Sequence, residues 1–283
     1  MRLLLGALVT CLVITLATGH AIFLEPPSRP TIGKVKPQCG LEWNYDHSAL
    51  YCGGFAVQHN EVNKGRCGIC GDPFTGDQPH QAGGKYEQLL TIVNTPILTI
   101  LTMCRYAKGV IARSYKVGQI IEVLIDLVAH HLVNKNFQSF HFLNFKMQGF
   151  FTFAICPHND IHSSPSPTCF ESHQLKVQAP RILVNSTYFA TKGTGIKKML
   201  VELPANMTCS QCILQYTYTA GNNWGKGQQS AEVASLDCLN ALKGKKGCGN
   251  QETFRGCADI CVGDFCPQDP DTCLTADMIK VIN

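Results

Sequence analysis

Sixteen cysteines among 283 residues constrain this chain more than any other feature of its sequence. Thiols at that density stay reduced in the cytosol and cross-link in an oxidising compartment, so the destination of the chain decides what they do. Arg2 opens a basic end, an apolar stretch runs from Leu3 to Leu16, and the small residues Ala17-Thr18-Gly19 follow. A charged start, an apolar stretch too short to span a bilayer comfortably and small residues before the cut make a cleavable signal peptide over residues 1–19. Cleavage after Gly19 makes His20 the first residue of a secreted, extracellular chain. Losing Cys11 with the signal leaves fifteen of the sixteen cysteines, to be read as disulfides with one thiol over. Cys67-Gly-Ile-Cys70 and Cys209-Ser-Gln-Cys212 have zinc-knuckle spacing, but an oxidising compartment favours cross-linking over zinc.

No later segment reads as a membrane span. The most apolar one, Leu89 to Met103, carries Asn94 and Pro96 and is too short. The tail from Ala276 lacks the hydrophobic end of a lipid-anchor signal. A net charge of +4, with Lys and Arg dispersed and no basic run flanked by stacking aromatics, argues against a nucleic-acid partner. Asn185-Ser186-Thr187 and Asn206-Met207-Thr208 are glycosylation sequons.

Short β-type runs punctuated by Gly, Pro and Asn dominate the mature region. Gln119 to Val128 is rich in Ile, Leu and Val, Gly149 to Ile155 alternates around Phe151 and Phe153, and Gln215 to Thr219 alternates Tyr with Thr. Turn-rich loops such as His162 to Thr168 and Gly221 to Gln229 lie between them. Ala231 to Leu242 is the best helical stretch, and a short one. The pattern predicts an all-β fold, an immunoglobulin- or fibronectin-III-like antiparallel β-sandwich with long disulfide-pinned loops and short helices. With no internal repeat or linker-like stretch, residues 20–283 read as a single domain.

Ten histidines invite a metal site, yet His59, His80, His158, His162 and His173 fall in loops where a solvated or hydrogen-bonded ring is the ordinary role. His20 differs because processing gives it two nitrogens for one metal, its own α-amine and its ring Nδ1. One more imidazole completes three nitrogen ligands in a T-shaped plane, a histidine brace suited to Cu(II) and able to hold Cu(I). The amine binds only when neutral, and its unperturbed pKa of about 7.7–8.0 lets protons compete with copper near neutral pH.

The segment HAIFLEPPSR from His20 resembles the start of the lytic polysaccharide monooxygenases of the invertebrate group called auxiliary activity family fifteen, also described as chitin-binding type-4 domains. Six further stretches carry the resemblance in order: LYCGGF from Leu50, GRCGICGD from Gly65, GGKY from Gly83, GFFTFAICP from Gly149, LQYTYTAGNNWG from Leu214 and GCGNQETFRGCADIC from Gly247.

The resemblance implies that His131, in the Ala-x-His pattern Ala129-His130-His131, is the second brace ligand, with His130 as its neighbour and competitor. It implies that Phe254, five residues before Asp259, stands at the axial position of the copper and closes it to strong donors. Ala129 then packs near the open coordination position, and Glu252 or Gln251 supplies a hydrogen bond from the surrounding shell. The implied activity uses one copper ion, an external electron donor and O2 or H2O2 to oxidise C1 or C4 of an insoluble polysaccharide, chitin first and cellulose second. Such chemistry needs no carboxylate pair of the hydrolytic kind. Trp43, Tyr45 and Trp224 are candidates for a flat polymer-binding face, Trp224 also reading as a packing residue of its turn. The expected state is a monomer.

The chain departs from that family in the stretch PTIGKVKPQCGLEW between Arg29 and Asn44, and in apparent insertions at about 87–105 and 133–148. The second insertion begins just after His131, where it bears on the site. Both read as retained intron sequence, a reading that uninterrupted transcript coverage would refute. Cys104 lies in the first insertion, so its removal leaves fourteen cysteines and seven possible disulfides. Three other roles compete: a non-catalytic chitin-binding or matrix protein on the same scaffold, a disulfide-rich structural or signalling protein, and a copper carrier.

Overall fold

A computed structural model of the chain describes residues 20–81, 109–129, 149–227, 238, 240, 242–269, 273, 274 and 279, leaving out 40, 42, 43, 46, 180, 181, 187, 191 and 192 within those ranges. The insertions at 87–105 and 133–148, His130, His131, Trp43, Cys104 and most of the helical stretch 231–242 lie outside the described residues.

In chain order the strands are β1 (His20–Glu25), β2 (Arg113–Tyr115), β3 (Ile120–Ala129), β4 (Gly149–Pro157), β5 (Lys176–Ala179), β6 (Ile182–Ser186), β7 (Tyr188–Ala190), β8 (Gly195–Glu202), β9 (Cys209–Ala220), β10 (Trp224–Gly225), β11 (Lys245–Lys246) and β12 (Thr253–Val262). The described helices are one turn or little more: α1 (Ile32–Val35), α2 (Phe55–Gln58) and α3 (Pro167–Glu171), beside a 3₁₀ turn at Pro37–Cys39. None of them is long and apolar enough to cross a membrane.

Two five-stranded sheets carry the fold, in the orders β1-β3-β8-β5-β6 and β2-β12-β9-β4-β7. All pairings within them are antiparallel except the parallel pair of β2 and β12. The sheets face each other across one apolar core because alternate residues of each strand point inward. Phe23, Ile121, Val123, Ile125 and Leu127 enter from the first sheet, and Phe151, Phe153, Ile155, Leu214, Tyr216 and Phe254 from the second. This is the all-β sandwich that the spacing of apolar residues predicts.

The three stretches read as strands are strands: β3 has the expected length shifted by one residue, while β4 and β9 run beyond their sequence signals. The loop His162 to Thr168 needs a correction at its end, where Ser166 caps α3 by accepting from the Thr168 N–H, with Pro167 in the first turn. The loop Gly221 to Gln229 holds the two-residue strand β10, paired with β11.

The cysteines cross-link the loops. Among the described residues seven disulfides join Cys39–Cys273, Cys52–Cys67, Cys70–Cys257, Cys156–Cys169, Cys209–Cys212, Cys238–Cys248 and Cys261–Cys266. Neither zinc-knuckle spacing serves a metal: Cys67 and Cys70 belong to different bridges, and Cys209 and Cys212 bridge each other.

Candidate metal centre

His20 begins β1, half-buried, and its Cα is paired with that of Ala129, the last residue of β3. The register breaks at once, since Ala21 is opposite Leu127 and residue 128 is skipped. A bulge of this kind re-aims the residue beside it. The rest of β1 is fixed from below: Ala21 and Phe23 are buried, the Phe23 ring meets Tyr216 edge-on at 5.3 Å, and the Tyr216 hydroxyl donates to the Ala21 carbonyl at 3.1 Å. Burial pushes the Tyr216 hydroxyl well above its ordinary value, so it stays a neutral donor. Behind Tyr216 stands Gly256, where a Cβ would lie 2.5 Å from the ring.

After β1 the chain turns and is anchored by charge. Arg29 forms a two-pronged ion pair with Asp259, Nε and Nη2 each donating to one carboxylate oxygen at 2.7 Å, both side chains almost wholly buried. Gln211 Nε2 donates to Asp259 Oδ1 at 2.8 Å, and Arg29 Nη1 donates to the His80 carbonyl at 2.8 Å. The buried His80 ring is held between Asp72 at 2.7 Å and Asn44 at 3.2 Å. Asp259, read in the sequence only as a marker for Phe254, is thus the anchor of the segment that begins at His20. No sequence signal marks Arg29 in PPSR for this role; its burial is what requires a carboxylate partner.

Phe254 is 1% exposed and faces the core from β12, with its ring 5.9 Å from Tyr218, which in turn meets Phe151 at 4.7 Å. Just before it, Glu252 is buried, and its carboxyl accepts from the Phe55 N–H at the start of α2. Burial pushes this carboxyl above its ordinary value, while the Phe55 N–H pulls the other way. The Gln251 amide is occupied with backbone groups: Oε1 accepts from the Asn223 N–H at 2.9 Å, and Nε2 donates to the carbonyls of Cys248 at 2.9 Å and Asn223 at 3.2 Å. The Gln251 carbonyl lies 2.8 Å from His59 Nε2. Gln251 therefore fastens the loop in front of β12.

The remaining loop histidines do what loop histidines ordinarily do. His158 lies 2.8 Å from the Ser163 carbonyl, His173 lies 2.7 Å from that of Cys169, and His162 is exposed. Of the aromatic face, Tyr45 is 84% and Trp224 70% exposed, which favours a surface role for Trp224 over packing.

The donor chemistry fits copper. All fourteen described cysteines are bridged, which removes thiolate, and no three His, Cys, Asp or Glu side chains converge among the described residues. What is left at the start of β1 is nitrogen, an imidazole and the backbone nitrogen of the same residue, a set that suits copper and needs only one partner from elsewhere.

Comparison with known proteins agrees. Residues 20–260 match the family described as lytic polysaccharide mono-oxygenase, cellulose-degrading. The chain therefore belongs to the lytic polysaccharide monooxygenase family and is a copper-dependent oxidoreductase. Among solved structures it is similar to the auxiliary activity family fifteen lytic polysaccharide monooxygenase from Thermobia domestica in the Cu(I) state. The similarity covers 86% of this chain and 99% of that one, at 26% identity and a TM-score of 0.61. No curated protein matches the sequence.

Proposed function

We propose that the mature chain is secreted, starts at His20, and oxidises insoluble chitin, with cellulose as the second substrate, through a brace formed by His20 and His131 in a single catalytic domain. The observation that carries this reading is the pairing of His20 with Ala129 at the end of β3. Two residues of chain span at most about 7 Å, so His131 starts within that reach of the residue opposite His20. The match to the family, which begins at residue 20, supports the same start.

In this reading the His20 amine and Nδ1 and the His131 ring would hold the ion, with Phe254 beside them, a ring that offers no lone pair. When bound, copper supplies one-electron redox chemistry that turns O2 or H2O2 against the C–H bond at C1 or C4 of a sugar unit. Glu252, rather than the fully engaged Gln251, holds a proton or hydrogen bond toward that side, because burial favours its protonated form. Ala129, the last residue of β3, stands opposite His20 and would border the ion. Tyr45 and Trp224 offer exposed rings to a flat polymer surface, the arrangement a crystalline substrate requires.

The test is electron paramagnetic resonance of the secreted protein with one equivalent of Cu(II), beside N-terminal sequencing and a His131→Ala variant. A nitrogen-rich axial spectrum, lost in the variant, and oxidised oligosaccharides released from chitin with a reductant support the reading. A mature chain starting anywhere but His20, or chitin binding indifferent to copper and without oxidised products, overturns it in favour of a binding protein.

A further inference from the structure

On the second sheet, Phe254 and Arg255 are neighbours in β12 with opposite outlooks. Phe254 faces the core; Arg255 faces out, as do Thr217 and Thr219 of β9 and Thr152 of β4. There the sheet forms one wall of a cleft of about 230 Å³, closed on other sides by α3 and by the disulfide-held loop at Cys67 and Ile69. Its deep surface is apolar, made by Phe150, Ala154 and Phe170, all at most 4% exposed.

Arg255 is the odd arginine of the molecule. Among the described arginines, Arg29 is paired in fork geometry with Asp259 and Arg113 with Glu25, while Arg66 is exposed. Arg255 is half-buried in the cleft, donates through Nε to Thr217 Oγ1 at 3.2 Å and through Nη1 to the Cys67 carbonyl at 3.4 Å, and has no carboxylate within 4.0 Å among the described residues. Glu171, exposed at the rim on α3, acts on it only from a distance, and burial works against its charge. A half-buried guanidinium with two hydrogen bonds and no counter-ion within reach among the described residues has donors to spare, and the partner that fits them best is a bidentate oxyanion.

We propose that this cleft binds a small organic acid, one hydroxylated six-membered ring carrying a carboxylate, with the acid on Arg255, the ring on Phe150 and Phe170, and its hydroxyls on the threonines. The size supports a single ring, since an apolar cavity of about 150 Å³ already holds benzene. The lining supports a ring with hydroxyls, because three threonine side chains border the apolar wall. Hexuronic acids and hydroxybenzoic acids share this chemistry. The site lies on the far side of the sheet from the face carrying Phe254, so its occupation is separable from copper binding.

The test is isothermal titration calorimetry of the copper-free, disulfide-intact mature protein at fixed ionic strength, with glucuronate, 4-hydroxybenzoate, and the uncharged controls glucose and phenol. Saturable binding of either acid, with its uncharged control weaker by about tenfold or more, is the expected result, and the acid that binds identifies the ring. Arg255→Lys should weaken binding and Arg255→Met abolish it. Because Arg255 also ties the Cys67 loop to β9, the decisive variant is the exposed Glu171→Gln, which removes a repelling charge and should tighten binding about two- to fivefold. No saturable binding of either acid at millimolar concentration, or a Glu171→Gln protein that binds no more tightly, overturns the proposal. The latter result would mean that the acid is not held at Arg255, where the charge of Glu171 acts.

Discussion

His20 stands opposite Ala129 at one end of the β1–β3 ladder, and the register slips by a residue immediately inside that pair. The backbone nitrogen of His20 therefore sits at the tip of an edge strand whose next residues are locked by Tyr216 and the core. If that nitrogen is a copper ligand, anything bonded to it forbids the brace.

A mature protein retaining Gly19 should therefore fold as well as the one that starts at His20, and should lose its response to copper. A ligand bound only to the native state stabilises it by about 2.7 kcal/mol at a hundredfold excess over its dissociation constant. Thermal melts with and without Cu(II) should show a rise for the His20 form that chelation reverses, and none for the extended form. Equal rises in both would place the metal elsewhere.

The anchoring of β1 gives a second expectation. Replacing Asp259 by Asn leaves Arg29 charged and buried with its partner neutralised, in a network that also holds Gln211. Breaking a buried pair from one side costs about 3–5 kcal/mol. Denaturant melts of Asp259→Asn should show a loss of that order at unchanged slope, whereas exposed Lys198→Ala, which removes the surface pair with Glu122, should fall within about 1 kcal/mol of the parent.

Which of these features the sequence discloses depends on how the residue patterns arise. β3, β4 and β9 are legible because one face of each is apolar over many residues, as in the alternation around Phe151 and Phe153. β12 is hidden inside GCGNQETFRGCADIC, where both faces are covered, the inner by the core and the outer by the cleft wall and the Cys70–Cys257 bridge, so alternation between apolar and polar is lost. β1 is hidden for a different reason, being short and read as a ligand-bearing terminus. Disulfide pairing has no local signal, since Cys39 and Cys273 lie 234 residues apart. Of the proposed site, His20, Ala129, Phe254 and Glu252 are named through motif position alone. The Arg29–Asp259 anchor and the role of Gln251 as a loop fastener emerge only from three-dimensional partners.

Gly256 is legible in neither way, yet it carries a sharp expectation. A methyl group there would press on the Tyr216 ring, which holds both Phe23 and the Ala21 carbonyl. Overpacking of this kind costs about 1–3 kcal/mol. Gly256→Ala should lower the free energy of unfolding by that amount and weaken copper binding as well, because β1 moves with Tyr216. A variant destabilised but with unaltered copper affinity would show that the start of β1 does not depend on this stack.

Glu252 supplies a pH dependence whose sign is fixed by the direction of its shift. Its carboxyl titrates higher in the folded chain than the ordinary 4.5, mainly because it is buried, with the Phe55 N–H offsetting part of the effect. The folded state thus holds this proton more tightly than the unfolded one. Its favourable contribution is complete below the ordinary value and disappears as the pH rises through the folded value. Glu252→Gln cannot ionise and keeps an oxygen for the Phe55 N–H. In metal-free protein the variant should therefore match the parent at the acid end and become the more stable of the two as the pH rises from the ordinary value through the folded one. Melting temperatures of the pair from pH 4 to pH 8 check this. A parent more stable than the variant at pH 8 would mean that the hydrogen bond to Phe55 outweighs burial, and that Glu252 sits in the fold as a charged group.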